Sequence, residues 1–257
     1  MPAYSEKQLG ELQLHLENLP DRANDLVHRV FAHRFGTQAG KEAGHHGLAR
    51  RLNSMSHSIL RIYEELPPEL NDIPDRGRCL EATTHLHSML IHCYGCFDNL
   101  AQIWVAERNV RNRNGKPLAR PRIGFLAKHK EVRKSLPDLL LQGLESFDPW
   151  ISFLEEFRHS TAHRTPAYIP PFLVPQKNEI EYQCLESKKQ SLALRRDWDS
   201  YDRIEIEQMR LAVFRPVLSL SIYEPRFSNF HVQLLADFST IEDWSNRIFD
   251  ELSSSAS

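Results

Sequence analysis

Leu86, Leu90, Cys93, Phe97, Leu100 and Trp104 recur at steps of four and three within residues 77–110. That spacing keeps returning to one side of an α-helix and predicts a long helix with one buried face. At about 1.5 Å per residue such a helix crosses a whole domain. Whatever else the chain builds must pack along it.

The rest of the chain carries mostly helical spacing. "SEKQLGELQLHLENL" and "DRANDLVHRVFAHRF" predict two short amphipathic helices broken at Pro20, with Asp21 as N-cap of the second. "GTQAGKEAGHHG" holds Gly36, Gly40, Gly44 and Gly47, a density that predicts a mobile loop. "LARRLNSMSHSILRIYEEL" predicts a third helix ended by Pro67 and Pro68, and "RNVRNRNGKPLARPR" a polar connection after the long helix. Phe147, Ile151, Leu154, Arg158 and Ala162 lie along one face of a further helix. Asp148 would cap it, Pro149 suits its first position, and Pro166 ends it by forcing Thr165 out of helical geometry.

Beyond it, residues 179–195 and 200–213 read as helices, "RPVLSLSI" as a short strand or extended stretch, and 239–252 as a last helix. No internal repeat is visible. The expectation is an all-α protein with little or no β. It has one domain over 1–252, a core at 77–170, helical additions at 1–66 and 176–252, and a disordered tail at 253–257.

With a net charge of −2, the chain carries no global excess of positive charge, so any site for nucleic acid must be local. The first residues lack the basic start and apolar run of a secretory signal. No stretch approaches the roughly 18 continuous apolar residues of a membrane span. Cys79, Cys93, Cys96 and Cys184 are too few and too uneven for a disulfide framework. A reduced, cytoplasmic protein without a membrane partner is the expectation.

Several patterns imitate known sites. "GTQAGKE" is one residue short of a phosphate-binding P-loop and has Glu42 where a Mg²⁺-binding Ser or Thr belongs. "CYGC" has the spacing of a zinc or redox pair, with His85, His87 and His92 nearby, but there is no second pair and Cys93 falls on the apolar stripe. In "HSTAH", His159 and His163 stand one helical turn apart and would suit a shared metal in a metal hydrolase. Ser160 occupies the place where a zinc peptidase needs Glu, and no third ligand is offered.

Arg158 and His163 form the remaining pair. An arginine stays charged and brackets phosphate oxygens with a planar fork of donors. A histidine titrates near neutrality and passes protons. Together they suit RNA cleavage without a metal. One group handles the proton of the 2′-hydroxyl or of the leaving 5′-oxygen, and the other offsets charge on the five-coordinate phosphorus. Basic residues also belong at helix C-termini for electrostatic reasons alone, and Arg158 could pair with Glu155 or with an acid on a neighbouring helix.

Arg158, four intervening residues and His163 at a helix end resemble the signature motif of the HEPN superfamily. "FRHSTAHRTPAYIPP" and the helix "FDNLAQIWVAER" are similar to a group of bacterial HEPN-like proteins, over roughly residues 77–170. The resemblance implies a helical bundle around a long antiparallel helix pair. It also implies a homodimer in which two copies of the motif face each other and cut RNA with no metal or other cofactor, in a toxin or defence setting. Arg158 and His163 are then the catalytic pair, with Asp98 or Asn99 as the polar helper. The residue after the arginine is usually Asn or Asp in the superfamily and is His159 here, a further candidate. A protein antitoxin or inhibitor would be a partner. Some members are non-catalytic modules that bind RNA, a nucleotide or a protein.

Ten lysines and arginines lie between Arg108 and Lys134 against the single acid Glu131. This strip joins the two helices of the motif, so Arg108, Arg111 and Arg113, with Arg164 beyond the second helix, are candidate contacts to an RNA backbone. A solvated, partly disordered loop is the other reading of the same residues.

Overall fold

Ser5 starts the first helix by a reciprocal cap in which its hydroxyl accepts from the Gln8 N–H and the Gln8 side chain accepts from the Ser5 N–H. The computed structural model describes residues 3–220 and 227–254. Helix α1 (Glu6–Glu17) hands over at Asn18 to α2 (Leu19–Ala32). Pro20 therefore lies in the first turn of α2, where its missing N–H has no partner to lose, and the break falls before it rather than at Asp21.

The glycine-dense stretch is helical, not a loop. Thr37 caps α3 (Gln38–Glu42), a π-helical turn follows over Ala43–Leu48, and the chain runs on into α4 (Ala49–Glu65). The carboxylate of Glu107 accepts from the Gly36 N–H (2.7 Å), the Thr37 N–H (3.2 Å) and the Thr37 hydroxyl (2.6 Å). A methyl group at Gly40 would collide with Glu107, one at Gly44 with the Phe35 ring, and one at Gly47 with Asn99. These glycines are places where neighbours press onto bare backbone. Glycine density alone reads them as a mobile loop.

Helix α5 (Arg76–Glu107) is the expected long element, started by Asp75, whose side chain accepts from the Gly77 and Arg78 N–H groups. α4 runs antiparallel to it, with Arg51 opposite Asn99, Met55 opposite Cys96 and Ser58 opposite Ser88. The segment expected as an N-terminal addition thus supplies a main packing partner. On another side lies α8 (Asp148–His163), also antiparallel: Trp150 meets Phe97, Arg158 meets Tyr94, and beyond the helix the Ala167 carbonyl meets His87. α11 (Phe230–Ser254) closes the core, setting Trp244 against Phe97 and Phe125. One contiguous apolar cluster runs from Tyr4 to Leu252, and the all-α bundle stands as expected.

The basic connection after α5 is folded. Phe125, Leu126 and Val132 are buried, and Trp104 donates to the Ser135 hydroxyl at 2.9 Å. Two short helices follow, α6 (Lys130–Lys134) and α7 (Asp138–Ser146). Arg133 donates to the Phe125 carbonyl (2.8 Å) and forks onto Asp148. That bond takes Asp148 away from capping, so α8 begins at Asp148 with Phe147 before it.

α9 (Glu179–Arg195) and α10 (Trp198–Met209) form a hairpin that packs chiefly on itself. Its interior is polar: Gln208 is fully buried, accepts from Lys189 (2.7 Å) and donates to Glu186 (2.8 Å). Its outside shows Ile180, Leu194, Trp198 and Ile206. "RPVLSLSI" contributes the strand Val217–Leu218, paired antiparallel with Ser228–Asn229, while its last residues lie outside the described ones. α11 starts nine residues before the expected 239. Of the expected tail, Ser253 and Ser254 end that helix, and 255–257 lie outside the described residues.

Candidate active site

α5 has to turn one face to α4 and another to α8, and consecutive residues on it point about 100° apart. Asp98 and Asn99 are separated in this way. Asn99 is buried, and its side-chain oxygen accepts from Arg51 Nε at 3.0 Å. Arg51 also meets His92 Nδ1 at 3.3 Å. The guanidinium lies flat against Gly95, where a methyl group would collide with it.

Asp98 belongs to the cluster that includes α8. Burial raises its carboxyl pKa to about 6, against the pull of Arg158, Arg51 and Lys128, which favour the charged form, while Glu155 adds to the rise. No hydrogen bond or ion pair holds this carboxylate among the described residues, so desolvation outweighs three nearby cations.

Arg158 is half-buried, with its guanidinium 5.5 Å from the centroid of the Tyr94 ring. Such a contact contributes about 0.5–1 kcal/mol and holds the fork in place without neutralising it. Glu155 does not take Arg158. It pairs with Lys128 at 3.0 Å and approaches His159 at 3.9 Å. Tyr94 has its own hydroxyl pKa raised, by burial first and then by Asp98 and Glu155.

His159 and His163 are exposed, with ring centroids 5.9 Å apart, and α8 ends at His163. Arg164 is exposed just beyond. Among the described residues no three His, Cys, Asp or Glu side chains converge as metal ligands. Cys93 and Cys96 are core residues whose thiol pKa values are pushed up by burial, and the Cys96 thiol lies 3.5 Å from Met55 Sδ.

The three arginines of the connection divide. Arg108 stacks on Trp104 at 5.0 Å and donates to the Glu251 carbonyl at 2.8 Å, so it docks the end of α11. Arg111 and Arg113 are exposed and line a groove with Arg122, Lys128, Lys130 and Lys134.

The structure thus brings together Asp98 and Arg158. It adds Tyr94, Glu155, Lys128 and Arg51, and sets Asn99 beneath Arg51. Tyr94 stands four residues before Asp98, one turn along the same face, and that spacing was the available signal. Arg51 comes from a distant helix and carries no local mark.

None of the described helices is long and apolar enough to cross a membrane. Comparison with models of protein families, with curated proteins and with solved structures gives no match, so the chemistry of this site rests on its own residues.

Proposed function

We propose that this protein is a metal-independent endoribonuclease of the HEPN type, acting as a homodimer with α8 of each copy at the shared cleft. The observation that supports it best is the state of Arg158. It is half-buried on an aromatic face beside the partly buried Asp98 carboxyl group, and no carboxylate among the described residues forms an ion pair with it. A cation held in place but in no ion pair among the described residues suits a phosphate.

In the proposed reaction the 2′-oxygen attacks the adjacent phosphorus and the bond from phosphorus to the 5′-oxygen breaks. The products are a 2′,3′-cyclic phosphate and a 5′-hydroxyl. The Asp98 carboxylate takes the proton from the 2′-hydroxyl, and the His163 imidazolium returns one to the departing 5′-oxygen. Arg158 carries the charge that builds on the phosphoryl oxygens. A second copy supplies the other half of the cleft, because His163 stands exposed at the end of α8 while Asp98 lies partly buried on α5.

The test is incubation of purified protein with structured and unstructured RNA, with and without EDTA, beside Arg158→Ala and His163→Ala. Cleavage that survives EDTA and is lost in both variants is the expected result. Cleavage abolished by EDTA would transfer the reaction to a metal hydrolase built on His159 and His163. Binding without cleavage would make the chain a non-catalytic module. Sedimentation of the same preparation reads the dimer.

A further inference from the structure

Between α5 and α6 the chain turns back on itself at Gly115, whose φ of 71° lies in the left-handed region, and Arg111 pairs with Pro117 across the turn. The Asn112 side chain accepts from the Asn114 N–H (2.9 Å) and the Lys116 N–H (3.1 Å), which holds the turn closed. The turn faces the segment from Pro121 to Lys134 across a groove of about 640 Å³.

Arg111, Arg113, Arg122, Lys128, Lys130 and Lys134 line this groove, and Glu131 is the one acid among the described residues that line it. Lys128 alone of the six cations takes part in an ion pair among the described residues. Like charges gathered around one concavity repel one another, and an anion lying among them relieves that repulsion.

The groove has a firm floor. His129 is 8 % exposed and rests on Gly124 at a place where a methyl group would collide. Burial first, then Lys128, lowers its pKa and favours the neutral ring.

Among the described residues no Phe, Tyr or Trp lines the groove. Single-strand sites that hold bases stack them on such rings. A lining of cations without aromatic faces recognises phosphates and leaves base and sugar unread.

We infer that this groove is a phosphate-chain site that takes a single nucleic-acid strand by its backbone, blind to base and to sugar, and leads that strand to Arg158. The juxtaposition that makes this specific is Lys128, which lines the groove and pairs with Glu155, one turn of α8 from Arg158. The choice of nucleic acid as ligand rests on the ribonuclease reading, whereas affinity for a phosphate chain stands without it.

The experiment uses fluorescence anisotropy with labelled oligo-dT, oligo-dC and oligo-dA, which lack the 2′-hydroxyl and cannot be cut. The full chain is compared with the triple variant Arg122→Ser, Lys130→Ser, Lys134→Ser, whose three native side chains are exposed and free of ion pairs among the described residues. Each phosphate contact on a single strand contributes about −0.7 to the slope of log affinity against log salt. The triple variant should therefore show a slope shallower by about 2 and binding at least tenfold weaker at low salt, with an unchanged melting temperature. The three oligonucleotides should bind within about threefold of one another, and tripolyphosphate should displace them.

DNA bound equally by parent and triple variant would overturn the inference, and so would a strong preference among bases. Tripolyphosphate binding without DNA binding would reduce the groove to a small-anion site and overturn its role in leading a strand. Groove binding with no RNA cleavage would fell the ribonuclease reading alone.

Discussion

Arg158 lies over the ring of Tyr94, 5.5 Å from its centroid, while Glu155, one turn earlier on the same helix, turns instead to Lys128. The arginine is thereby positioned by a neutral surface, and its charge is left available. Arg158→Lys retains the charge and loses the planar fork, so the expected result is cleavage lower by about 10²–10³-fold, the usual effect of removing one group that stabilises transition-state charge. Thermal unfolding should move little, because the lost cation–π contact contributes only about 0.5–1 kcal/mol. Near-parental cleavage by the lysine variant would remove Arg158 from the phosphate.

Asp98 gives the reaction a pH signature. Its carboxyl pKa is raised to about 6, chiefly by burial, so a base at this position is protonated and idle below pH 6 and active above it. Cleavage should rise roughly tenfold per pH unit below about 6, and that rising limb should end near pH 6. Asp98→Asn should be slow at every pH and should lose that limb. A variant that keeps the limb would assign it to another group.

Gly95→Ala separates function from stability. The added methyl group collides with the Arg51 guanidinium, which is the movable end of a long side chain. Losing the bond from Arg51 to Asn99 costs about 0.5–1.5 kcal/mol, and replacing glycine by alanine inside α5 returns about 0.8–1.0 kcal/mol. The melting temperature should hardly change, while cleavage should fall to the level of Arg51→Ala. Full activity in both variants would show that Arg51 only packs.

Asp237 predicts how stability responds to acid. It is fully buried, accepts from Trp150 Nε1 (2.7 Å) and from Gln233 (2.6 Å), and burial raises its pKa from 3.8 to about 6. The folded state therefore holds a proton that the unfolded chain releases between those values. The resulting stabilisation is full below about pH 4 and is lost as pH rises through 6, a span of roughly 3 kcal/mol. His231 acts in the opposite direction, since its pKa is lowered to about 4 by burial, and its contribution is lost as pH falls from 6.5. Urea midpoints of Asp237→Asn and parent at pH 4, 5, 6 and 7 cancel the histidine. The difference should favour Asn progressively as pH rises, and a constant difference would contradict the buried-carboxyl account.

Elements with repeating apolar spacing were legible in the sequence, because burial of one face imposes the period that is read. α9 emerged on its expected bounds and α5 within three residues of its own. The glycine-rich segment was not legible, since its helix depends on the Glu107 carboxylate from a distant part of the chain and on neighbours pressing against bare Cα atoms. The same limit applied at the site. Local spacing marked Arg158 with His163, and the family resemblance offered Asp98 or Asn99 without saying which of the two faces α8. Nor could either show that Arg51 approaches from α4 or that Arg108 is taken up by α11, because these are facts of packing between distant segments.

The α9–α10 hairpin has a consequence of its own. Leu173 and Val213 exchange backbone hydrogen bonds of 2.7 and 2.9 Å at its base, and the Asn178 side chain donates to the Leu211 carbonyl at 2.8 Å. The chain leaves the bundle and re-enters it at one stapled doorway, and what lies beyond the doorway holds itself together around Gln208. In architectural terms the hairpin is a detachable annex, and a short turn joining the two sides of the doorway should leave the bundle standing.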